Sequence, residues 1–215
     1  MKIAVLAESS ADEAAIRILI DGILEVPAEI ADLTPRARGW SSVLTILPSI
    51  IKSLHYHTDT DGLVAVVDSD LSPPHTDRHD EPGSSEARCR LCSLTSVCRS
   101  VLPGLRPVAN RPRMNIAVGL AVPCVEAWYS FGRHPHVGEA QWRIALESRR
   151  FPYDPKRLKE ELYGRYFSLE HETRRAVQEA RRLVPYLNGL EQQFPQGFGT
   201  LAREVRAWRY LCPDR

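Results

Sequence analysis

The stretch Leu63-Val64-Ala65-Val66-Val67-Asp68-Ser69-Asp70 constrains this chain more than any other. Five apolar residues, three of them Val, run directly into two carboxylates one residue apart. A continuous β-branched run with Gly62 before it and Pro73-Pro74 after it predicts a strand buried on both faces, as parallel strands are. Such a strand needs helices on both sides, which points to an α/β protein. Ligands of open α/β sheets bind at the carboxyl ends of the strands, where this run puts its acids. Asp is also a common turn residue after a strand, so the pair alone leaves a turn and a ligand site both open.

Two other apolar runs also end in acids. Lys2-Ile3-Ala4-Val5-Leu6-Ala7 leads into Glu8, followed by Ser9-Ser10-Ala11-Asp12 and an apolar-periodic helix. Asn115-Ile116-Ala117-Val118-Gly119-Leu120-Ala121-Val122 leads through Pro123-Cys124-Val125 into Glu126. Three strands of one parallel sheet bring Glu8, Asp68, Asp70 and Glu126 to a common edge. Four carboxylates on one rim repel each other unless a hard divalent cation neutralises them. A carboxylate in the first turn of a helix also suits the macrodipole, which is the purely structural alternative for Glu126. Asp12, about one turn after Glu8, is read either as a supporting acid behind the ligands or as an ordinary first-turn Asp.

The remaining elements follow from periodicity. A helix is expected over 11–24 with Ser10 as its cap, a second strand within 25–33, and a helix over 40–56. Pro48 inside that helix predicts a kink or a restart near Leu47. The order β-α-β-α-β predicts a parallel, helix-covered, Rossmann-like sheet of about four strands, with the last at 115–122. Pro123 then starts a helix over 124–131. From Gly138 onward the pattern is helical, over 139–149, 155–163, 170–184 and 198–208. The division expected is an α/β domain over 1–131, with 71–103 as a loop and Cys-containing insertion, and a helical extension over 132–215.

The chain has no apolar run long enough for a membrane span and no charged-then-apolar leader, so a cytoplasmic protein without membrane contact is expected. Five Cys, an odd number without a leader, fit reduced thiols. Residues 1–82 carry 14 acids and 6 bases, whereas 83–138 carry 2 acids and 7 bases. That asymmetry suits a phosphate-bearing substrate that also needs metal, and equally an Arg-biased genome, since only 4 of the 28 bases are Lys. In the tail, Trp142, Phe151, Tyr153, Tyr163, Tyr166 and Phe167 interleave with Arg and Lys, as a nucleic-acid surface or as a helical cap with a solvated face.

The segment 71–85 is polar and rich in breakers, and is read as a loop or lid over the rim. Its His75 and His79 are proton donors, solvated side chains, or metal ligands. Cys89, Cys92 and Cys98, with His79 or His75 as the fourth ligand, would make a small zinc site. The alternative is an amphipathic helix over 86–102 whose Cys residues are simply core.

Glu8 in Leu6-Ala7-Glu8-Ser9-Ser10, the Asp68-Ser69-Asp70 pair and Pro123-Cys124-Val125-Glu126-Ala127-Trp128 together resemble the Toprim-domain family. That metal-binding module occurs in topoisomerases, bacterial primases, and the stand-alone, OLD-type and RloB-like nucleases. The resemblance covers about residues 1–131. It departs from the family pattern at Ser9, where Gly is usual, and at Leu71-Ser72-Pro73, where a further acid or Gly often follows. It implies Mg²⁺- or Mn²⁺-assisted phosphodiester cleavage of DNA or RNA, with Asp68 and Asp70 as ligands. Glu8 would be a ligand or general acid/base, and Glu126 would support a second metal. Too little chain remains for a topoisomerase or a primase. What is left is a small nuclease, acting alone, as a homo-oligomer, or as the effector of a partner such as an ATPase in an anti-phage system. The competing class is a non-catalytic protein that binds a cation and a partner.

Overall fold

Four strands, β1 (Lys2–Leu6), β2 (Glu29–Ala31), β3 (Gly62–Asp68) and β4 (Asn115–Ala121), form an all-parallel sheet in the order β2-β1-β3-β4. Helices α1 (Ser10–Leu24), α2 (Gly39–His57) and α3 (Arg90–Val101) make the crossovers between successive strands. The computed structural model describes residues 1–33, 37–81, 83–84, 86–109, 111–151 and 153–210. Pro82 and Ser85 of the expected loop, and 211–215 of the expected extension, therefore lie outside the described residues.

The apolar run of β3 splits by the period-two rule into two cores. Val64 and Val66 pack on the face covered by α1, while Leu63, Ala65 and Val67 pack on the face covered by α2 and α3. All five are at most 1 % exposed, which is the two-sided burial that the run predicts. The C-terminal helices are α5 (Glu139–Ser148), α6 (Pro155–Tyr163), α7 (Leu169–Leu183), α8 (Leu187–Gln193) and α9 (Phe198–Ala207), after the short α4 (Val125–Tyr129). Leu183, Leu190, Phe198, Leu201 and Val205 share one core with Ile3, Val5, Ile16 and Ile20. Helices α7, α8 and α9 thus complete the helix layer over the face covered by α1, while Trp142 of α5 packs in the other core. Two strand glycines allow this close approach. A Cβ on Gly62 would meet the Trp208 ring at 2.6 Å, and one on Gly119 would meet Leu201 at 3.0 Å.

Several details differ from expectation. The cap of α1 is Ser9, whose Oγ accepts from the Asp12 backbone N–H (3.1 Å), not Ser10. Helix α2 does not restart at Pro48 but continues through it, with Val43, Leu47, Ile50, Ile51 and Leu54 anchoring both halves on the sheet. The second strand is only three residues long, at a sheet edge where Ile30 stays 52 % exposed. Pro123 precedes the N-cap Cys124 rather than starting α4, and α8 answers to no expected helix. Among the described residues no helix is long and apolar enough to cross a membrane.

Candidate carboxylate rim and metal-ligand cluster

In this strand order the chain leaves β1 toward β2 and returns to β3 on the other side, so the topological switch point lies between the carboxyl ends of β1 and β3. Crevices of that kind are where open α/β sheets bind ligands. Glu8 and Asp68 occupy it. The Glu8 carboxylate accepts the backbone N–H of Asp68 at 2.9 Å, and Gly39 and Trp40 at the N-terminus of α2 lie against it. Asp68 Oδ1 accepts the Val125 N–H (3.0 Å) at the start of α4, capping that helix from outside. Asp70 adopts a left-handed turn (φ 47), a conformation Asp tolerates, and donates its N–H to the Pro123 carbonyl.

Asp12, Glu126, Glu8 and Asp70 all lie near enough to Asp68 to act on its charge, though no three of these acids bring ligand atoms within 4.8 Å of one another among the described residues. Burial is the first cause that raises the Asp68 carboxyl well above its ordinary range, followed by repulsion from Asp12, Glu126, Glu8 and Asp70. Asp12 is pushed up to about 7 by burial and then by Glu126. Glu8 is raised by burial, against the Asp68 N–H and the Arg90 guanidinium, which lower it.

Two cations answer part of this charge. Arg90, in the first turn of α3, donates to the Asp68 carbonyl (2.7 Å), pairs with Asp70 (2.8 Å) and reaches Glu8 at 3.6 Å. Its guanidinium lies over the Trp40 ring. Lys159 of α6 stands 3.5 Å from Glu126 and 3.8 Å from Glu172. Burial alone would lower the Lys159 ammonium, but the pull of Glu126, Glu172, Asp12 and Asp68 outweighs that and raises it. Between these two pairs, Asp12 and Asp68 have no ion-pair partner within 4.0 Å among the described residues. The hydroxyls of Tyr129 and Tyr163 are buried without a hydrogen-bond partner among the described residues, and both are raised by burial and then by acids that include Asp12 and Glu126.

A cleft of about 620 Å³ opens beside Asp70, lined by Trp142, Phe151, Tyr153, Lys156 and Arg157 among others. Trp142 Nε1 donates to the Asp70 carbonyl (3.2 Å), so α5 reaches the rim directly. The tail aromatics divide between the two readings. Trp142 and Tyr163 are buried, whereas Phe151 and Tyr166 are exposed.

A second constellation lies along the 71–92 segment. His75, His79, Cys89 and Cys92 bring one ligand atom each within 4.8 Å of one another and can hold a metal ion. Among the described residues this is the one group of three or more potential ligands to meet that closeness, which the rim carboxylates do not. Both His75 and His79 belong to it, and Cys98 does not. Cys98 lies one and a half turns further along α3, in the core, with its thiol raised to about 11 by burial and then by Glu204. The expected trio of Cys ligands is corrected in that respect. The described Cys residues form no disulfide.

Sequence reasoning missed Arg90, Lys159, Tyr129 and Tyr163. For Arg90 a signal existed: a base in the first turn of a helix opposes the macrodipole and calls for an acid partner. Lys159 carried none, since it belongs to an ordinary charged helix. No protein-family model, curated protein or solved structure matches this chain.

Proposed function

We propose that the carboxylate rim is the working site of a Mg²⁺- or Mn²⁺-dependent phosphodiester-cleaving enzyme acting on DNA or RNA, the activity implied by the Toprim resemblance. What supports this reading is that Glu8 and Asp68 sit at the β1/β3 switch point, with Asp12, Asp70 and Glu126 close enough to raise the Asp68 carboxyl. Asp68 and Asp12, with Glu126 beside them, would hold the cation. A divalent ion there would neutralise a phosphate and acidify a bound water. Asp12, pushed up to about 7 in the metal-free site, would release its proton as the cation binds. Arg90 holds Glu8 and Asp70 apart in charge, and Lys156 and Arg157 line the cleft through which a phosphate backbone would approach. The donor chemistry assigns different ions to the two constellations: a hard cation to the oxygens of the rim, and zinc to the His and Cys ligands.

Purified protein with Mn²⁺ or Mg²⁺ should nick plasmid or cut RNA, and Asp68→Asn should lower cutting by about a hundredfold or more while the circular-dichroism spectrum is kept. Cutting by Asp68→Asn at close to the wild-type rate refutes the assignment. One observation favours a second reading, a non-catalytic cation- and partner-binding protein: Arg90 and Lys159 already supply internal counter-charge. That reading predicts no cleavage with any substrate or metal, and Mn²⁺ binding, if any, that leaves nucleic acid intact.

A further inference from the structure

We infer that His75, His79, Cys89 and Cys92 form a structural zinc clip that ties the 71–89 loop to the start of α3 and so sets Arg90 between Glu8 and Asp70. The distances fit the ion. Tetrahedral zinc, with Zn–S about 2.3 Å and Zn–N about 2.0–2.1 Å, puts a sulfur and a nitrogen ligand about 3.6 Å apart. Cys92 Sγ lies 3.6 Å from His75 Nδ1 and 3.6 Å from His79 Nδ1, and Cys89 Sγ lies 3.7 Å from His75 Nδ1. All three contacts converge on the two Nδ1 atoms, as ligands around one centre do. The opposite nitrogen of His75, Nε2, faces Asp80 Oδ2 at 3.3 Å. A carboxylate behind a ligating imidazole is the usual means of holding its ring and tautomer. The spacing, His-x-x-x-His followed by Cys-x-x-Cys, is that of short zinc sites.

The fold shows what such a clip would do. The loop begins directly after Asp70 and ends directly before Arg90, and the Arg90–Asp70 ion pair (2.8 Å) closes its base. His79 lies in a 3-10 turn (Asp77–Asp80), while Cys89 and Cys92 flank Arg90 on the first turn of α3. Among the described residues few apolar side chains hold the loop: Leu71 is 70 % exposed and no residue of the 3-10 turn is buried. Four coordinate bonds are therefore the strongest restraint available to it. They orient the helical turn from which the guanidinium reaches the rim. The zinc site stands apart from the nuclease reading; only the consequence for the rim rests on it.

The test begins with the metal content of the full chain purified under reducing conditions without chelator. About one zinc per chain is expected, falling to near zero in His75→Ala and Cys92→Ser and unchanged in Cys98→Ser. Should those variants not fold, wild-type protein reconstituted with Co²⁺ gives the readout: the visible bands of a tetrahedral cobalt thiolate. The loop is followed by trypsin cleavage at Arg78 and Arg88, expected to accelerate at least tenfold on zinc removal and to slow again on re-addition. No zinc or cobalt uptake, equal zinc in the Cys92→Ser protein, or a Cys89–Cys92 disulfide in the reduced protein would overturn the site. Tryptic rates indifferent to zinc would overturn its role as a clip. None of these readouts depends on cleavage of nucleic acid, so failure of the nuclease reading leaves them standing.

Discussion

The carboxylate rim and the His/Cys cluster are joined by the segment between Asp70 and Arg90, and they are built in opposite ways. The rim gathers five acids from positions 8 to 126, held by strand ends and helix starts. The cluster draws four ligands from 75 to 92 and holds them by one loop and one helical turn. In the rim, repulsion among oxygens is balanced in part by Arg90 and Lys159. The cluster offers imidazole nitrogens and thiol sulfurs, a donor set that suits a soft or borderline metal. A site made of distant residues is placed by the sheet and survives local disorder. A site made of neighbours on a loop gains most of its restraint from the ion it binds.

The largest effect separating the two is on chemistry. Asp68→Asn keeps an acceptor for the Val125 N–H but removes a charge, and should lower Mn²⁺-dependent cleavage by about a hundredfold or more, with zinc content unchanged. Single-turnover assays beside metal analysis read both numbers. If zinc falls with activity, the two sites are not independent.

The next effect is on stability. Lys159→Met leaves the buried Glu126 without its nearby cation and should cost about 2–3 kcal/mol in urea unfolding, toward the low side because Lys159 is half-exposed. Glu126→Gln in the same chain should restore most of it, a coupling that a double-mutant cycle measures directly. An additive result would mean that Lys159 does not answer the charge of Glu126.

A smaller effect depends on pH. The folded value of about 7 for Asp12 lies above its ordinary 3.8, so between those values the folded chain binds more protons than the unfolded one. Metal-free protein should therefore lose stability as pH rises from about 4 to about 7 and level off beyond. Asp12→Asn should flatten that slope, and so should saturating Mn²⁺. Melting temperatures across the range test it, and a slope unchanged in Asp12→Asn would place the titration elsewhere. The smallest effect is expected at Cys98, where Cys98→Ala removes a core thiol and should cost about 1 kcal/mol without changing metal content.

Much of the fold was legible because burial on both sides of a strand leaves an unmistakable record: Leu63–Val67 could only be a central parallel strand. The acids after each apolar run were equally readable, since a parallel sheet sends all its strand ends to one edge. Zinc ligation was half-legible. The Cys-x-x-Cys spacing was visible, yet Cys98 fits the same helical periodicity, and only the rotation of α3 shows that it points into the core while His75 and His79 come round to Cys89 and Cys92.

By itself, then, the amino-acid order determined the layers of this protein and which edge carries its charge, because hydrophobic periodicity and strand direction are local properties. Tertiary structure alone decided which charges are answered from within. Arg90 and Lys159 reach their acids across 20 to 82 positions of chain (Arg90 to Asp70 and to Glu8) and 33 positions (Lys159 to Glu126), through packing of α3 and α6 that no local pattern encodes. Electrostatic pairing depends on distance in space, and distance in space is set by how the helices pack on the sheet.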